Sequence, residues 1–404
     1  MKIAIMGYGT IGSGVAKVVE TNAASIAAKV GEPLEVKYVL DLREFPGDPI
    51  QEKVVHDVDV IMNDPEVAIV VETMGGVEPA CTFVKKALCA GKSVTTSNKA
   101  LVAKKGTELL ELAKEHHVSF LFEASVGGGI PIIRPLNQCL TADEIEEITG
   151  ILNGTTNYML TKMDKEGMTF DAVLKEAQDK GYAEKDPTAD IEGFDACRKI
   201  SILSSLAYGC QVDFEDVYTE GITKITDVDF NYARKMGTSI KLFGTSKRAG
   251  EKFYAMVAPM MIGPEHPLYA VNDVFNGILV EGNMVDKLMF YGRGAGSLPT
   301  ASAVVADVIE MAKNPGRTLV TSWSTRKLPL ADKGSWERKF FVRVSGKKAD
   351  RQAEVEKLFG AVEYVELPGM DEFAFVTPVM SEAEYEKKAG QLEGVLHMIR
   401  MDTL

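Results

Sequence analysis

The stretch KIAIMGYGTIGSGVAKVVE, residues 2–20, limits the fold more than any other part of the chain. Ile3 to Met6 form a strand-length apolar run. Gly7, Gly9 and Gly12 follow as G-x-G-x-x-G, with Tyr8, Thr10 and Ile11 between them. Then Ile11, Val15, Val18 and Val19 recur at helical spacing. Strand, glycine turn and helix in that order are what a dinucleotide-binding fold requires. The glycines let the backbone turn tightly and approach a pyrophosphate, and the helix N-terminus adds N–H donors and partial positive charge. The glycine pattern alone is weak and also fits a plain turn of another α/β protein; its flanks supply the missing context.

The same rhythm continues to about residue 134. EVKYVLD (35–41) reads as a second strand ending in Asp41, and VAIVVETMGG (67–76) as a strand buried on both faces. PACTFVKKALCAGK is an amphipathic helix, KSVTTSNKALV a strand, loop and helix start, and HVSFLFEASVGGGIP a strand with a glycine-rich turn. Strands and helices alternating at short loop lengths predict an α/β fold, a Rossmann-type NAD(P)-binding domain over 1–134. Its expected cofactor contacts are Gly7, Gly9, Thr10, Ile11 and Gly12, with Thr73 at the end of the third strand. Asp41 is placed to bond ribose hydroxyls, which argues for NAD; Arg43 could hold a 2′-phosphate, which argues for NADP. The sequence leaves both open.

From Ile145 the pattern changes. EIEEITGILNGTTNYML reads as strand, turn and helix, TFDAVLKEAQDKG and FDACRKISILSSLAYG as helices, and KFYAMVAPMMI, NGILVEG and DKLMFYG as antiparallel strands. A mixed α+β middle domain over 135–320 is expected; its catalytic and dimerisation role, and its chain end returning to the Rossmann domain, are what the family resemblance given below implies. STRKLPLADKGSWERK (324–339) reads as a linker. Residues 338–404 follow the order βαββαβ, a small module of their own.

The chain's 404 residues suggest two or three domains. A net charge of −13 argues against a nucleic-acid partner, which would need a basic footprint. No apolar run reaches the roughly 18 residues of a membrane helix, and the N-terminus is too short in apolar residues for a secretory leader. Five cysteines without C-x-x-C spacing (Cys81, Cys89, Cys139, Cys197 and Cys210) read as reduced, buried thiols of a cytoplasmic protein. His56, His116, His117, His266 and His397 are scattered and suggest no zinc site.

AEKDPTADIEGFDACRK (183–199) gathers Glu184, Asp186, Asp190, Glu192 and Asp195 before Arg198 and Lys199. Asp195 and Lys199 are spaced i,i+4 on a predicted helix and share a face. A surface pair would contribute only about 0.3–0.5 kcal/mol. Yet Ile200, Ile202, Leu203 and Leu206 make this helix apolar. A lysine held among carboxylates stays charged and aimed, able to give a proton to a carbonyl oxygen as hydride reaches carbon. Spare carboxylates suit a substrate ammonium. A solvated acidic loop is the competing reading, and spacing alone does not separate the two.

The pattern Ala177-x-x-x-Gly181-Tyr182-Ala183-x-x-Asp186-Pro187-x-x-Asp190-Ile191-x-Gly193-x-Asp195-x-x-x-Lys199 resembles the signature of the homoserine dehydrogenase family. ILNGTTNYML (151–160), SNKALV (97–102), FEASVGGGIPII (122–133) and GAGSLPTASAVVADV (294–308) are similar to further blocks of it. The resemblance covers about the first 320 residues and implies interconversion of L-homoserine and L-aspartate 4-semialdehyde with NADP or NAD, in threonine, methionine and isoleucine biosynthesis. It implies Lys199 as proton donor and Lys99 near the nicotinamide and reacting oxygen. Glu184 and Asp195 would bind homoserine with Asp190 close by, and Gly181 and Gly296 would border the cofactor. A sodium or other monovalent-cation site would fall on Glu123, Val126, Gly128 and Ile130, one carboxylate plus backbone carbonyls making an all-oxygen site for a hard cation. The competing reading of Glu123 is a carboxylate capping nearby amides. A homodimer or homotetramer is expected.

The C-terminal βαββαβ segment resembles an ACT domain, though FFVRVSGKKADRQAEVEKLFG lacks the Pro-Gly-Val-Leu turn usual before that module's first helix. A threonine effector and a purely structural role both remain open, since fold does not give function. A fused aspartate kinase is not expected ahead of the glycine turn. The rivals are another small amino- or hydroxy-acid dehydrogenase and a non-catalytic dinucleotide sensor; a sensor would need no proton donor.

Overall fold

A computed structural model describes residues 1–321 and 323–402. They form two compact units, one of residues 1–144, 201–214 and 292–328, the other of residues 145–200, 215–291 and 329–404. These units are drawn differently from the three successive domains read from sequence. Residues 201–214 and 292–328 belong with the glycine turn, and the C-terminal segment belongs with the middle one.

The first unit holds β1 (Lys2–Met6), β2 (Glu35–Leu40), β3 (Val54–Val55), β4 (Val67–Glu72), β5 (Ser93–Thr96) and β6 (Phe120–Leu121) in the order 3-2-1-4-5-6. All neighbouring pairs are parallel. In this doubly wound arrangement the strand order reverses beside β1, and ligands bind at the carboxyl ends there. Ile3, Ile5, Ile69 and Val71 are buried with Val15 and Val19 of α1 (Thr10–Thr21). Ala301, Val304 and Val308 join the same core, which is why residues 292–328 belong to this unit. Each such Ile or Val side chain contributes about 1.5–3 kcal/mol by leaving water. The expected linker begins instead as a strand, Ser324–Lys327, parallel to Cys210–Gln211.

The second unit is built on one sheet. Its main strands are β7 (Ile145–Ile151), β8 (Ser239–Ala249), β9 (Lys252–Ile262), β10 (Phe275–Gly282), β11 (Asp286–Arg293), β12 (Glu337–Ser345), β13 (Glu363–Val365), β14 (Glu372–Val376) and β15 (Val395–Asp402). They lie in the order β11-β10-β7-β8-β9-β15-β12-β14-β13. The C-terminal segment has the predicted βαββαβ order, with helices Lys348–Phe359 and Glu382–Ala389. Its last strand runs parallel to β9, Met260 opposite Arg400 and Ile262 opposite Asp402, so its sheet continues that of the middle segment. Phe340, Phe359, Phe373 and Phe375 fill its core. Buried charges fasten it further. Arg343 donates to Asp229 at 2.8 Å and to Glu372 at 2.9 Å, and Arg400 to Glu382 and Glu220 at 2.6 Å each.

All five cysteines are free thiols, but burial holds only for Cys81, Cys197 and Cys210; Cys89 and Cys139 are exposed, each the last residue of its helical segment. Among the described residues no helix is long and apolar enough to cross a membrane.

Candidate active site

The glycine turn has the geometry its sequence demands. Gly7 adopts φ +95°, and its N–H donates to Leu40 at 2.8 Å. Thr73 Oγ1 donates to the Gly7 carbonyl at 2.8 Å, tying the ends of β1 and β4 together. A Cβ on Gly12 would stand 2.0 Å from that carbonyl, whereas one on Gly9 would meet nothing within 4 Å. Gly7 and Gly12 therefore make the turn, and Gly9 leaves room for a close ligand. No side chain caps α1 at Gly9, so the first N–H groups of Thr10, Ile11 and Gly12 remain available to an anion.

At the end of β2 the two candidate specificity residues are bound to each other. Asp41 accepts the Tyr8 N–H at 2.8 Å, and the Arg43 N–H, Nε and Nη2 at 3.0 Å each. The Arg43 bond holds the carboxyl well below the usual range, against the opposing effect of burial, with the Tyr8 amide helping. Asp41 is thus bonded to Arg43, the other expected specificity residue. The Arg43 guanidinium also donates to the Tyr8 carbonyl at 3.1 Å and lies 5.2 Å from the Phe45 ring, with its side chain largely exposed.

Lys99 is the first residue of α2 (Lys99–Glu115), at the carboxyl end of β5, and is half-buried. Asn98 caps that helix, its Oδ1 accepting the Leu101 N–H at 3.1 Å while Nδ2 donates to Gly76. Beneath the loop lies the buried Glu72, which accepts Thr96 Oγ1 at 2.5 Å and the Met74 N–H at 2.7 Å. Burial pushes its carboxyl up, and these bonds pull the other way.

The glycine-rich bend is equally defined. Gly128 adopts φ +57°, where a Cβ would stand 2.4 Å from the Gly294 carbonyl. Glu123 is buried, and its carboxylate accepts the N–H groups of Ile132, Ile133 and Arg134 at 2.6, 2.9 and 2.7 Å. This is the amide-capping geometry of the competing reading of Glu123. Three of about four lone-pair directions are already used. Val126, Gly128 and Ile130 are buried residues of the same bend. Asp307 secures it, accepting the Glu123 N–H at 2.9 Å, Thr95 Oγ1 at 3.0 Å and Arg134 Nη2 at 2.6 Å. Gly296, with φ +116°, precedes the helix Ser297–Lys313 that carries Asp307.

In the second unit the acidic loop and the lysine meet. The buried strand β7 delivers Leu152 and Asn153 to the start of α3 (Gly154–Glu166). The buried helix α4 (Phe194–Tyr208) delivers Asp195 and Lys199 on one face. Lys199 Nζ lies 2.7 Å from Asp195 Oδ2 and donates to the Leu152 carbonyl at 2.7 Å. Asn153 Nδ2 donates to Asp195 at 2.9 Å and to Asp190 at 2.8 Å, while its Oδ1 caps α3 by accepting the Thr156 N–H at 2.8 Å. Side chains of Lys199 and Asp195 are 8% and 5% exposed, so the bland surface-pair reading does not apply.

Of the predicted substrate residues, Asp190 and Asp195 share one network with the expected proton donor Lys199; Glu184 is exposed on the loop after Gly181, which turns the chain at φ +72°. Asn153 went unassigned in the sequence reading. Its signal was there: an asparagine just before a helix is a preferred cap. Among the described residues no group of three or more His, Cys, Asp or Glu could hold a metal ion.

Residues 7–123 match the family profile described as homoserine dehydrogenase, NAD binding domain, and residues 131–309 the one described as homoserine dehydrogenase. The homoserine dehydrogenase of Bacillus subtilis is 44% identical over 317 residues, covering 78% of this chain and 73% of that one. That of Synechocystis is 47% identical, covering 77% and 73%. The crystal structure of a homoserine dehydrogenase from Thiobacillus denitrificans superposes with a TM-score of 0.92 at 34% identity, covering 100% of this chain and 98% of that one. A hyperthermophilic archaeal homoserine dehydrogenase in complex with NADPH gives 0.67 at 28% identity, covering 78% and 98%. With a dinucleotide-binding turn and a buried lysine–carboxylate network in place, the chain belongs to the homoserine dehydrogenase family of NAD(P)-dependent oxidoreductases.

Proposed function

We propose that Lys199 is the proton donor in the interconversion of L-homoserine and L-aspartate 4-semialdehyde. The supporting observation is its burial between the Asp195 carboxylate and the Leu152 carbonyl. The Asp195 carboxylate and the Leu152 carbonyl hold the ammonium in position. The bound nicotinamide supplies or accepts the hydride. Lys199 gives its proton to the aldehyde oxygen in the reductive direction and takes it back from the alcohol in the other. Lys99 assists by polarising the same oxygen. Asp190 and Asp195 receive the substrate ammonium, with the exposed Glu184 contributing from the loop; this separates an amino acid from a simple aldehyde.

NADP is the preferred cofactor in this reading. Asp41 is neutralised by Arg43, and the exposed Arg43 guanidinium is suited to a 2′-phosphate. A monovalent cation such as sodium would be held by backbone carbonyls of Glu123, Val126, Gly128 and Ile130, a donor set that suits a hard ion. We further infer a cytoplasmic homo-oligomer, with threonine as an effector of the C-terminal segment. Semialdehyde reduction followed separately by NADPH and NADH absorbance tests the reading. Turnover with NADPH well above NADH supports it; no turnover with either refutes it.

A further inference from the structure

Glu72 ends β4, a strand whose other residues, Val67 to Val71, are all apolar. It is fully buried, level with Met6 of β1 on one side and Thr96 of β5 on the other. Those strand ends lead into the glycine turn and into Lys99 respectively. A carboxylate withdrawn from water is costly unless its oxygens are bonded, so its donors identify its role.

Both oxygens are used, on two different loops. Oε1 accepts the Met74 N–H at 2.7 Å, and Oε2 accepts Thr96 Oγ1 at 2.5 Å. The same Thr96 oxygen accepts the Asn98 N–H at 2.9 Å. Asn98 donates through Nδ2 to the Gly76 carbonyl at 2.5 Å and caps α2 through Oδ1, with Lys99 as the first helical residue. Residues 73–76 and 96–98 are thus closed into one ring of hydrogen bonds around Glu72. Thr73, on the first of these loops, reaches the Gly7 carbonyl. The main-chain ladder ends here on a long bond, from the Ser97 N–H to the Glu72 carbonyl at 3.4 Å. Side chains therefore hold the backbone of Lys99 to the dinucleotide turn.

Only a carboxylate satisfies this ring. A glutamine presents one oxygen and one NH2 group. In one orientation that NH2 meets the Met74 N–H; in the other it leaves the Thr96 proton without its acceptor.

We propose that Glu72 is a positioning residue for the dehydrogenase reaction, holding Lys99 at the reacting oxygen through Thr96 and Asn98. The assignment rests on the role given above to Lys99.

The test is a double-mutant cycle in the full chain, reading kcat, KM for aspartate semialdehyde, and NADPH affinity by fluorescence. The single variants are Glu72→Gln, Thr96→Val, Thr96→Ser and Lys99→Ala; the first two are also each combined with Lys99→Ala. We expect Lys99→Ala to lower kcat about 10²–10³-fold, the range for losing one donor to a reacting oxygen. We expect Glu72→Gln and Thr96→Val each to lower kcat about tenfold or more by misplacing Lys99, with KM and NADPH affinity within about twofold of wild type. Thr96→Ser, which restores the hydroxyl, should recover most of that loss. Once Lys99 is alanine, the second substitution should cost less than about twofold, because residues acting as a unit are not additive. The same fold-loss with and without Lys99 would overturn the proposal and leave the role of Lys99 standing. So would unchanged kcat in both Glu72→Gln and Thr96→Val, or NADPH affinity lost in step with kcat in both. Wild-type kcat in Lys99→Ala would instead remove the role of Lys99, and the proposal with it.

Discussion

Asn153 donates its side-chain amide to Asp195 across 2.9 Å, and the same nitrogen reaches Asp190 at 2.8 Å. One neutral side chain thus holds two carboxylates that would otherwise repel, while its oxygen caps α3. Asn153→Ala should lose the cap, costing about 1 kcal/mol of stability, and should raise KM for homoserine and lower kcat together, by about tenfold or more in kcat/KM. NADPH binding, measured by fluorescence, should not change. A variant that loses stability but keeps its kinetics would limit Asn153 to capping.

In the proposed reading the Asp41–Arg43 pair sets the cofactor preference. Arg43→Ala removes the suited 2′-phosphate partner and releases the Asp41 oxygens toward ribose hydroxyls. kcat/KM with NADPH should fall about tenfold or more, and kcat/KM with NADH should hold or rise. Equal losses with both cofactors would contradict this account.

Glu123 accepts three successive backbone amides. Glu123→Gln keeps the shape but replaces charged acceptance of three backbone amides with a neutral carbonyl. Stability to urea should fall by about 1–3 kcal/mol. Any rate dependence on sodium should persist, because the proposed cation donors are backbone carbonyls. Loss of sodium dependence in a stable Glu123→Gln chain would return the carboxylate to the cation.

Asp229 links the helix Asp227–Met236 to the C-terminal strands through Arg343 at 2.8 Å and His397 at 3.0 Å. Burial raises its carboxyl, but the His397 and Arg343 bonds more than offset this and bring it down to about 2. The folded value lies below the unfolded 3.8, so the contribution is present above about pH 4 and is lost as pH falls toward 2. It amounts to about 2 kcal/mol. Asp229→Asn should therefore be less stable than wild type at pH 6 by at least about this much, and the gap should narrow below pH 4. A gap independent of pH would contradict the ionised pairing.

Most of the first unit was legible in its sequence because parallel strands buried on both faces leave continuous apolar runs, and the strand and helix flanking the glycine turn supply the context the turn alone lacks. The helix 194–208 was legible for a similar reason: the i,i+4 spacing of Asp195 and Lys199 fixes a shared face. Periodicity could not show that Asp41 would be consumed by a neighbour two residues away, since strand-end position says nothing about which partner wins. Nor could it show that Glu123 would turn back onto the amides of residues 132–134, or that Asn153 would reach Asp195, because both depend on long-range packing. The joining of β15 to β9 was likewise hidden. Strand pattern shows where a strand lies and not which partner it takes.

The role of Lys199 is tested most directly by single-turnover reduction of aspartate semialdehyde in Lys199→Ala, with NADPH affinity measured on the same sample. The account predicts cofactor affinity within about twofold of wild type and a chemical step slowed about 10²–10⁴-fold, the range for losing a positioned acid. A chemical step at the wild-type rate in a folded, NADPH-binding variant would contradict it.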